Sequence, residues 1–311
     1  MNIVHFCPSK LATGGTEGIH HLVSELNKCG ANAKILYVGS SDDPQPKEYS
    51  EYNCPFITEL PKDYEGTVIF PEVWGNNVIE PRYRGMTTVI NWQGIDVYYW
   101  NNPVNTQKKF LQNKSTIHVT MSEYGMEHLR GLGLNPLKIP DCINNDFLQD
   151  FTEEYDRSNT VLYNPVPVKM TNFQETVMAR CVTELGIKFK PIKGYTKLDL
   201  IDLFRHSKLY IDFGVFSGRE RLPREAVMCG CCILTSNKGT AKAYLDNAIP
   251  DKYKIEDVDT AIQMIRYILK NYEVCKSDYV DYQRLMHKDK EEYHAQVEEL
   301  YHAILNNNPS P

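Results

Sequence analysis

Residues 217–236, with the sequence SGRERLPREAVMCGCCILTS, crowd charged side chains directly before an apolar run. A guanidinium group matches the oxygens of a phosphate, and the free N–H groups at a helix N-terminus also bind anions. A carboxylate in the same turn suits a diol, because it accepts hydrogen bonds from hydroxyl groups. These residue types therefore predict a nucleoside diphosphate site with a ribose-binding glutamate. The charged side chains concerned are Arg219, Glu220, Arg221, Arg224 and Glu225.

The elements that must position these side chains follow from the flanking residues. KLYIDFG (208–214) is typical of a buried strand, and residues 219–221 would lie in the loop after it. Pro223 suits the first position of a helix, which would end at Gly230 before the apolar strand CCILTS (231–236). An alternative interpretation has the glutamate of this helix cap its N-terminus, while the arginines form surface ion pairs worth under about 1 kcal/mol each.

The N-terminal half predicts a parallel sheet. NIVHF (2–6) and NAKILYVG (32–39) are typical of strands, and between them lie the glycine loop LATGGTEG (11–18) and the helix IHHLVSELNKCG (19–30). This succession is a βαβ unit. Further apolar strands are predicted at TVIFPEVW (67–74), TTVINWQG (87–94) and TIHVTMS (116–122), the last followed by a helix capped by Ser122.

A second α/β series follows an acidic, polar connection at 146–159. It contains the strand TVLYNP, a helix at about 171–185 that ends at Gly186, and a helix capped by Thr196. We therefore predict an α/β fold of two Rossmann-like domains that face a central cleft. The predicted boundaries are 1–150 for the first domain, 151–285 for the second domain, and 286–311 for a helical tail.

Two polar residues end predicted strands of the N-terminal half, where open α/β sheets place their ligands. Glu72 is the candidate general base if a reaction needs one, and Gln93 would orient a ligand by hydrogen bonds. Each could instead be a satisfied polar residue at a strand end. The aromatic residues nearby would either stack on a ligand or belong to the core: Trp74, Trp92, Tyr98, Tyr99 and Trp100.

Composition narrows the class of protein. The 311 residues carry a net charge of −6, which argues against a general nucleic-acid binder. No apolar run approaches the roughly 18 residues that span a bilayer, and the N-terminus lacks the features of a signal peptide. The chain is therefore expected in the cytoplasm.

Cysteine and aspartate spacing predicts no metal site. Cys229 and Cys232 form a CxxC without a second pair, so the nine cysteines are interpreted as core residues of a reduced protein. The stretches SDDP (41–44) and DVD (257–259) contain paired aspartates but have no carboxylate cluster beside them. His20 and His21, at the start of the first predicted helix, are not expected to do chemistry.

Three stretches resemble glycosyltransferases of the GT-B type, particularly retaining family-four-like enzymes. GRERLPREAVMCGCCILTS matches the Leu-Pro, Glu-Ala, Gly and apolar-strand positions of their second-domain motif. TGGTEGIHHLVSELNKCG is similar to their N-terminal glycine loop and helix. HVTMSEYGMEHLRGLGLNPLKIPDCINNDF is similar to the strand, helix and I-P-N-G-V-D segment that precede the domain junction. The matches occur in the family's order.

The resemblance implies that 1–150 is an acceptor domain and 151–285 a nucleotide-sugar domain, and it assigns roles to individual positions. Glu225 falls on the ribose-binding glutamate, and the loop of Gly14, Gly15 and Thr16 on the one that approaches the donor phosphate. Lys169, in NPVPVKM, lies near the phosphate-binding lysine. With Arg219, Arg221 and Arg224 it would stabilise the departing diphosphate, as a metal does elsewhere, so no cofactor or metal is expected.

The sequence also departs from the family pattern. Gly218 stands at the position of the first motif glutamate, and the glycine-arginine that usually precedes the lysine is missing. The favoured hypothesis is a metal-independent, hexosyltransferase-like enzyme of polysaccharide biosynthesis. It would move a sugar from a nucleotide-diphosphate sugar to a glycan or lipid-linked acceptor, with peripheral membrane contact at most. The resemblance implies retention, whereas inversion would need a base such as Glu72.

Two other hypotheses remain open. A non-catalytic, glycosyltransferase-like subunit would bind a nucleotide, glycan or protein partner without turnover, which fits the departures from the motif. A dehydrogenase would use TGGTEG as a cofactor loop, but that loop lacks the G-x-G-x-x-G spacing.

Overall fold

The computed structural model describes residues 1–39, 43–102, 108–149, 154–243 and 245–307. The chain divides into two compact units: Met1–Cys142 together with Lys290–Pro311, and Ile143–Asp289. The predicted domain boundary between 150 and 151 lies outside the described residues, as do Ser41 and Asp42 of the SDDP stretch. Each unit is a parallel sheet flanked by helices, which confirms the prediction of an α/β fold with two Rossmann-like domains.

The first unit contains a parallel sheet with the order β3-β2-β1-β4-β5-β6-β7 among the described residues. The strand order reverses between β1 and β4, which is where open α/β sheets leave a crevice at their carboxyl ends. β4 and β5 are buried along their whole length, as strands covered on both faces are. The strands are β1 Asn2–Pro8, β2 Asn32–Val38, β3 Phe56–Ile57, β4 Thr67–Pro71, β5 Thr87–Trp92, β6 Ile117–Thr120 and β7 Leu137–Lys138.

The helices of this sheet are α1 Gly14–Lys28, α2 Ile95–Asn101 and α3 Glu123–Gly131. α1 begins at Gly14 and not at Ile19 as predicted, because Thr13 and Thr16 form a capping box that starts the helix earlier. α3 begins after Ser122, whose hydroxyl accepts the N–H of Gly125, so this predicted cap is confirmed.

The second unit has the strand order β11-β10-β8-β9, again parallel. Its predicted helix at about 171–185 is confirmed: Thr171 caps it, and Gly186 ends it in the left-handed conformation with φ of 64°. Asp257 of the DVD stretch caps the helix that follows it, with its side chain accepting the N–H of Thr260. The elements are β8 Ser158–Tyr163, α4 Asn172–Leu185, β9 Phe189–Pro191, α5 Lys197–Arg205, β10 Ser207–Asp212, α6 Arg221–Met228, β11 Cys232–Thr235, α7 Val258–Lys270, α8 Tyr272–Lys276 and α9 Val280–Asn307.

The last helix, α9, spans the division between the units. From Lys290 onward it belongs to the first unit, so residues 286–311 do not form a separate tail. The physical reason is an apolar stripe at helical spacing, which is buried in the first unit's core beside Ile19 and Leu22 of α1. The residues of the stripe are Tyr293, Val297, Leu300 and Ile304.

The nine cysteines all lie in the described part of the chain and are free thiols, and all except Cys29 are buried. Their interpretation as core residues is therefore confirmed. No helix in the described ranges is long and apolar enough to cross a membrane. Within those ranges there is also no group of three or more His, Cys, Asp or Glu side chains that could hold a metal ion.

Candidate functional site

The charged stretch forms the turn between β10 and α6. β10 ends at Asp212, and α6 begins at Arg221, with Glu220 as its N-cap residue. The sequence predicts Pro223 at the first position of this helix, whereas in the structure it is the third residue of α6. A proline is tolerated there because the N–H groups of a whole first turn have no partner within the helix.

Lys169 lies at the centre of this turn, although it comes from the loop between β8 and α4. Its ammonium donates to the carbonyl oxygen of Val215 at 2.8 Å and lies 4.9 Å from the ring centroid of Phe216. Its Nζ is 3.1 Å from Oε1 of Glu220 and 4.0 Å from Oδ2 of Asp212. The predicted phosphate ligand is thus paired with carboxylates of its own chain.

Glu220 and Asp212 are held differently. Oε1 of Glu220 accepts the backbone N–H of Ser217 at 3.1 Å and its hydroxyl at 3.4 Å. Asp212 is buried, with Oδ1 accepting the N–H of Gly214 and Oδ2 accepting the hydroxyl of Tyr210, each at 3.1 Å. Burial raises the pKa of Asp212 to about 6, against the opposing charge of Lys169.

Sequence reasoning did not identify Asp212 as part of this cluster. The available signal was a carboxylate at the carboxyl end of an otherwise apolar strand, KLYID, which is where open sheets place functional groups. Nor did the spacing reveal that Lys169 would lie beside Glu220, because the contact joins two different loops.

Two of the predicted phosphate ligands, Arg219 and Arg224, bind other groups of the second unit. Nη1 of Arg219 lies 2.6 Å from Oδ2 of Asp289, and its Nε donates to the carbonyl oxygen of Asp246 at 3.0 Å. Arg224 has no exposed surface and donates to the carbonyl oxygens of Arg219 and Glu220 at 2.6 and 3.1 Å. These contacts fix the backbone of the turn, and the role of both residues as phosphate ligands stays a prediction.

Arg221 and Glu225 are also largely buried, with 8% and 7% of their surface exposed. The alternative of surface ion pairs is therefore wrong for the arginines of this stretch. Glu225 is the fifth residue of α6, too far along to cap it. Its predicted contact with a ribose stays a prediction.

The polar residues predicted for the first unit lie together at the carboxyl ends of β4 and β5. Glu72 follows β4 in a 3₁₀ turn, Glu72–Ile79, and its Oε2 accepts the backbone N–H of Gln93 at 3.1 Å. The side-chain amide of Gln93 donates to the carbonyl oxygen of Gly15 at 2.7 Å. Burial raises the pKa of Glu72 to about 7, although backbone N–H groups favour its charged form.

Gly14, Gly15 and Thr16 form the first turn of α1. The hydroxyl of Thr16 donates to the carbonyl oxygen of Leu11 at 2.7 Å and accepts the N–H of Thr13 at 3.0 Å. A Cβ on Gly15 would come within 3.1 Å of Oε1 of Gln93. Glycine at this position therefore allows the strand end and the helix start to approach closely.

The neighbouring aromatic and histidine residues belong mainly to the core. Trp92 and Tyr98 are buried, and the indole N–H of Trp92 donates to Nδ1 of His118 at 3.1 Å. Trp100 is 55% exposed. His20 is buried with Nε2 at 2.6 Å from the hydroxyl of Tyr37.

No family model and no curated protein matches this sequence. In three dimensions the chain is similar to solved structures at high coverage and low identity. HepE from Anabaena in complex with UDP-glucose gives a TM-score of 0.69 at 11% identity, over 98% of this chain and 99% of that chain. Sucrose-phosphate synthase from Thermosynechococcus elongatus gives 0.73 at 12% identity, with the same coverage.

A third similar structure is the catalytic domain of starch synthase IV from Arabidopsis thaliana bound to ADP and acarbose. It gives a TM-score of 0.59 at 12% identity, over 98% of this chain and 99% of that chain. These neighbours are GT-B glycosyltransferases, so the chain has the GT-B fold expected from the sequence. Likeness at this identity concerns the fold, and function has to be argued from the site.

Proposed function

We propose that this protein is a glycosyltransferase that moves a sugar from a nucleotide-diphosphate sugar to a glycan or other glycoconjugate acceptor. The observation that carries the proposal is the cluster at the carboxyl ends of β8 and β10. There the Lys169 ammonium and the Ser217 N–H and hydroxyl converge on one oxygen position at 3.1–3.4 Å. The GT-B fold supports it, since HepE is described with UDP-glucose and starch synthase IV with ADP and acarbose.

In this proposal the second unit binds the nucleotide sugar. Lys169 and Ser217 would stabilise the charge that develops on the departing diphosphate, because fixed donors in a site shielded from water act more strongly than in bulk solvent. Glu225 would accept hydrogen bonds from the ribose hydroxyls. Arg219 and Arg224 would contribute by holding the turn, through their contacts with Asp289 and the loop carbonyls.

The first unit would bind the acceptor. Retention by attack from the same face would need no protein base, and we favour it because the motif resembles retaining enzymes. Inversion would need one, and Glu72 is the candidate, with a pKa of about 7 that is close to that of an effective general base. The Gln93 contact with Gly15 would keep the Gly14–Thr16 turn in place.

A second candidate function is nucleotide or glycan binding without turnover. It is favoured by the glycine at position 218, where the related motif has a glutamate, and by the engagement of Lys169 with Glu220. Saturable nucleotide binding without sugar transfer or hydrolysis of the nucleotide sugar would support this function, and transfer to an acceptor would exclude it.

The test is a thermal-shift screen with UDP, GDP, dTDP, CMP and ADP, each with and without magnesium. We expect one nucleotide to stabilise the wild-type protein without magnesium, by about 2.7 kcal/mol at a hundred times its dissociation constant. Glu225→Gln and Glu225→Ala should lose most of this stabilisation, measured against each variant's own unliganded baseline.

The exposed Glu256, which is also in the second unit, provides the matched control. Glu256→Ala should keep the wild-type response. If no nucleotide stabilises the wild-type protein, the proposed function is wrong. If Glu225→Ala responds as the wild type does, the assignment of the ribose site to Glu225 is wrong.

A further inference from the structure

The oxygen Oε1 of Glu220 occupies a position that the fold has built for an anion. Nζ of Lys169 lies 3.1 Å from it, and the backbone N–H and hydroxyl of Ser217 donate to it at 3.1 and 3.4 Å. An ammonium, an amide and a hydroxyl that point at one oxygen are the typical ligands of a phosphate oxygen. A side-chain carboxylate provides such an oxygen in the structure.

The groups around this position differ in how firmly they are held. The Lys169 side chain is 6% exposed and is anchored by the carbonyl oxygen of Val215. The N–H of Ser217 belongs to the backbone. The Glu220 side chain, in contrast, is 23% exposed. Its carbonyl oxygen is fixed by Arg224, so rotation of the side chain alone can carry the carboxylate into solvent.

Charge balance explains why a carboxylate is there at all. A buried ammonium without a counter-ion is strongly destabilising. Asp212 contributes at a longer distance, 4.0 Å, and is held by Tyr210 and Gly214. Glu220 therefore neutralises Lys169 at hydrogen-bond distance, and a phosphate in its place would do the same.

We infer that Glu220 is an internal competitor of the nucleotide sugar: its carboxylate occupies the phosphate position beside Lys169 and Ser217, and the diphosphate binds by displacing it. This inference rests on the proposed function, because it takes the ligand to be a nucleoside diphosphate. Binding and release of the nucleotide are then coupled to rotation of the Glu220 side chain. The pairing of Glu220 with Lys169 lowers the apparent affinity in proportion to the fraction of molecules in which the carboxylate has left the phosphate position.

The test is isothermal titration calorimetry with UDP, GDP, dTDP, ADP and inorganic pyrophosphate. The proteins are wild type, Glu220→Gln, Lys169→Met and the double variant. Glu220→Gln keeps the size of the side chain and removes its charge. If the open site is populated in about one molecule in ten, Glu220→Gln binds about tenfold more tightly. In the Lys169→Met background the same change should have a much smaller effect, because only the contacts with Ser217 still hold the carboxylate in place.

Glu256→Gln, at an exposed position of the same unit, controls for the loss of one negative charge. Unfolding temperatures measured without ligand establish that each variant is folded. If the amide of the introduced glutamine keeps the contact with Lys169, Glu220→Ala is used in place of Glu220→Gln. Tighter binding that depends on Lys169 supports the inference.

The two proposals fail in different ways. If the wild-type protein binds a nucleotide and Glu220→Gln binds it equally or more weakly, the competition is wrong and the proposed function stands. If the full gain persists in Lys169→Met, Glu220 repels the anion from elsewhere, and the assigned position is wrong. If neither the wild-type protein nor any Glu220 variant binds a probe, both proposals are wrong.

Discussion

At the scale of single residues, Glu72 shows how burial and hydrogen bonding compete. The residue is 4% exposed, and its burial raises its pKa to about 7, while the N–H of Gln93 favours the charged form. A carboxyl group whose pKa is higher in the folded than in the unfolded protein stabilises the fold at low pH. This contribution is complete below the ordinary value of 4.5 and is lost as the pH rises through about 7.

We therefore predict that the stability difference between the wild-type protein and Glu72→Gln depends on pH. The free energy of unfolding of the wild type should fall relative to that of the variant between pH 4.5 and about 7, by on the order of 3 kcal/mol. Urea denaturation at several pH values measures this difference. Glu65→Gln, at an exposed position of the same unit, should show no such slope. A difference that is constant with pH would contradict the perturbed pKa.

At the scale of elements, the turn before α6 depends on charged groups that face inward. Arg219 and Asp289 form an ion pair whose side chains are 1% and 9% exposed, and Arg224 binds the carbonyl oxygens of the same turn. Removal of one partner leaves a buried charge uncompensated, which is costly, whereas replacement of both by apolar groups is often tolerated.

Asp289→Ala should accordingly destabilise the second unit by about 3–5 kcal/mol. The double variant Arg219→Met with Asp289→Leu should recover much of this loss, because both members of the ion pair are replaced by apolar groups. Asp281, which is 57% exposed and pairs with Arg284, provides the control, and Asp281→Ala should change the free energy of unfolding by less than about 1 kcal/mol. Equal effects of Asp289→Ala and Asp281→Ala would refute a structural role for the pair.

At the scale of the whole molecule, the C-terminal segment is part of the first unit's core. Val297, Leu300 and Ile304 are fully buried there, and the ring of Tyr293 stacks on His21 with centroids 4.3 Å apart. Segments distant in sequence therefore build one core, so the stability of the N-terminal sheet should depend on the last helix.

Leu300→Ala should lower the free energy of unfolding by about 2–5 kcal/mol, as expected for a cavity in a close-packed core. Leu305, which is 41% exposed on the same helix, is the matched control. Leu305→Ala should change the free energy of unfolding by no more than about 0.5 kcal/mol. Calorimetric unfolding of the two variants makes the comparison. If both variants lower the free energy of unfolding by the same small amount, this part of α9 does not contribute to the core.

Local patterns in the sequence determined much of the fold. The apolar strands, the Ser122 and Thr196 caps and the helix end at Gly186 all follow from short-range chemistry, and neighbouring residues predict each of them. Errors were also local in origin: the capping box of Thr13 and Thr16 moved the start of α1 to Gly14, and β4 gives way to a 3₁₀ turn at Glu72.

The candidate site was predictable only in part. Residue types and the family resemblance identified the charged stretch, Lys169, Glu72 and Gln93 as a set. The partner of each side chain was decided by tertiary structure, because Lys169 meets Glu220, and Arg219 meets Asp289, across different loops and helices. By itself the sequence determined which strands and helices form and which charges lie near their ends. Only folding decided which charges neutralise one another, since a pair depends on distance in space and on burial, and neither is encoded by spacing along the chain.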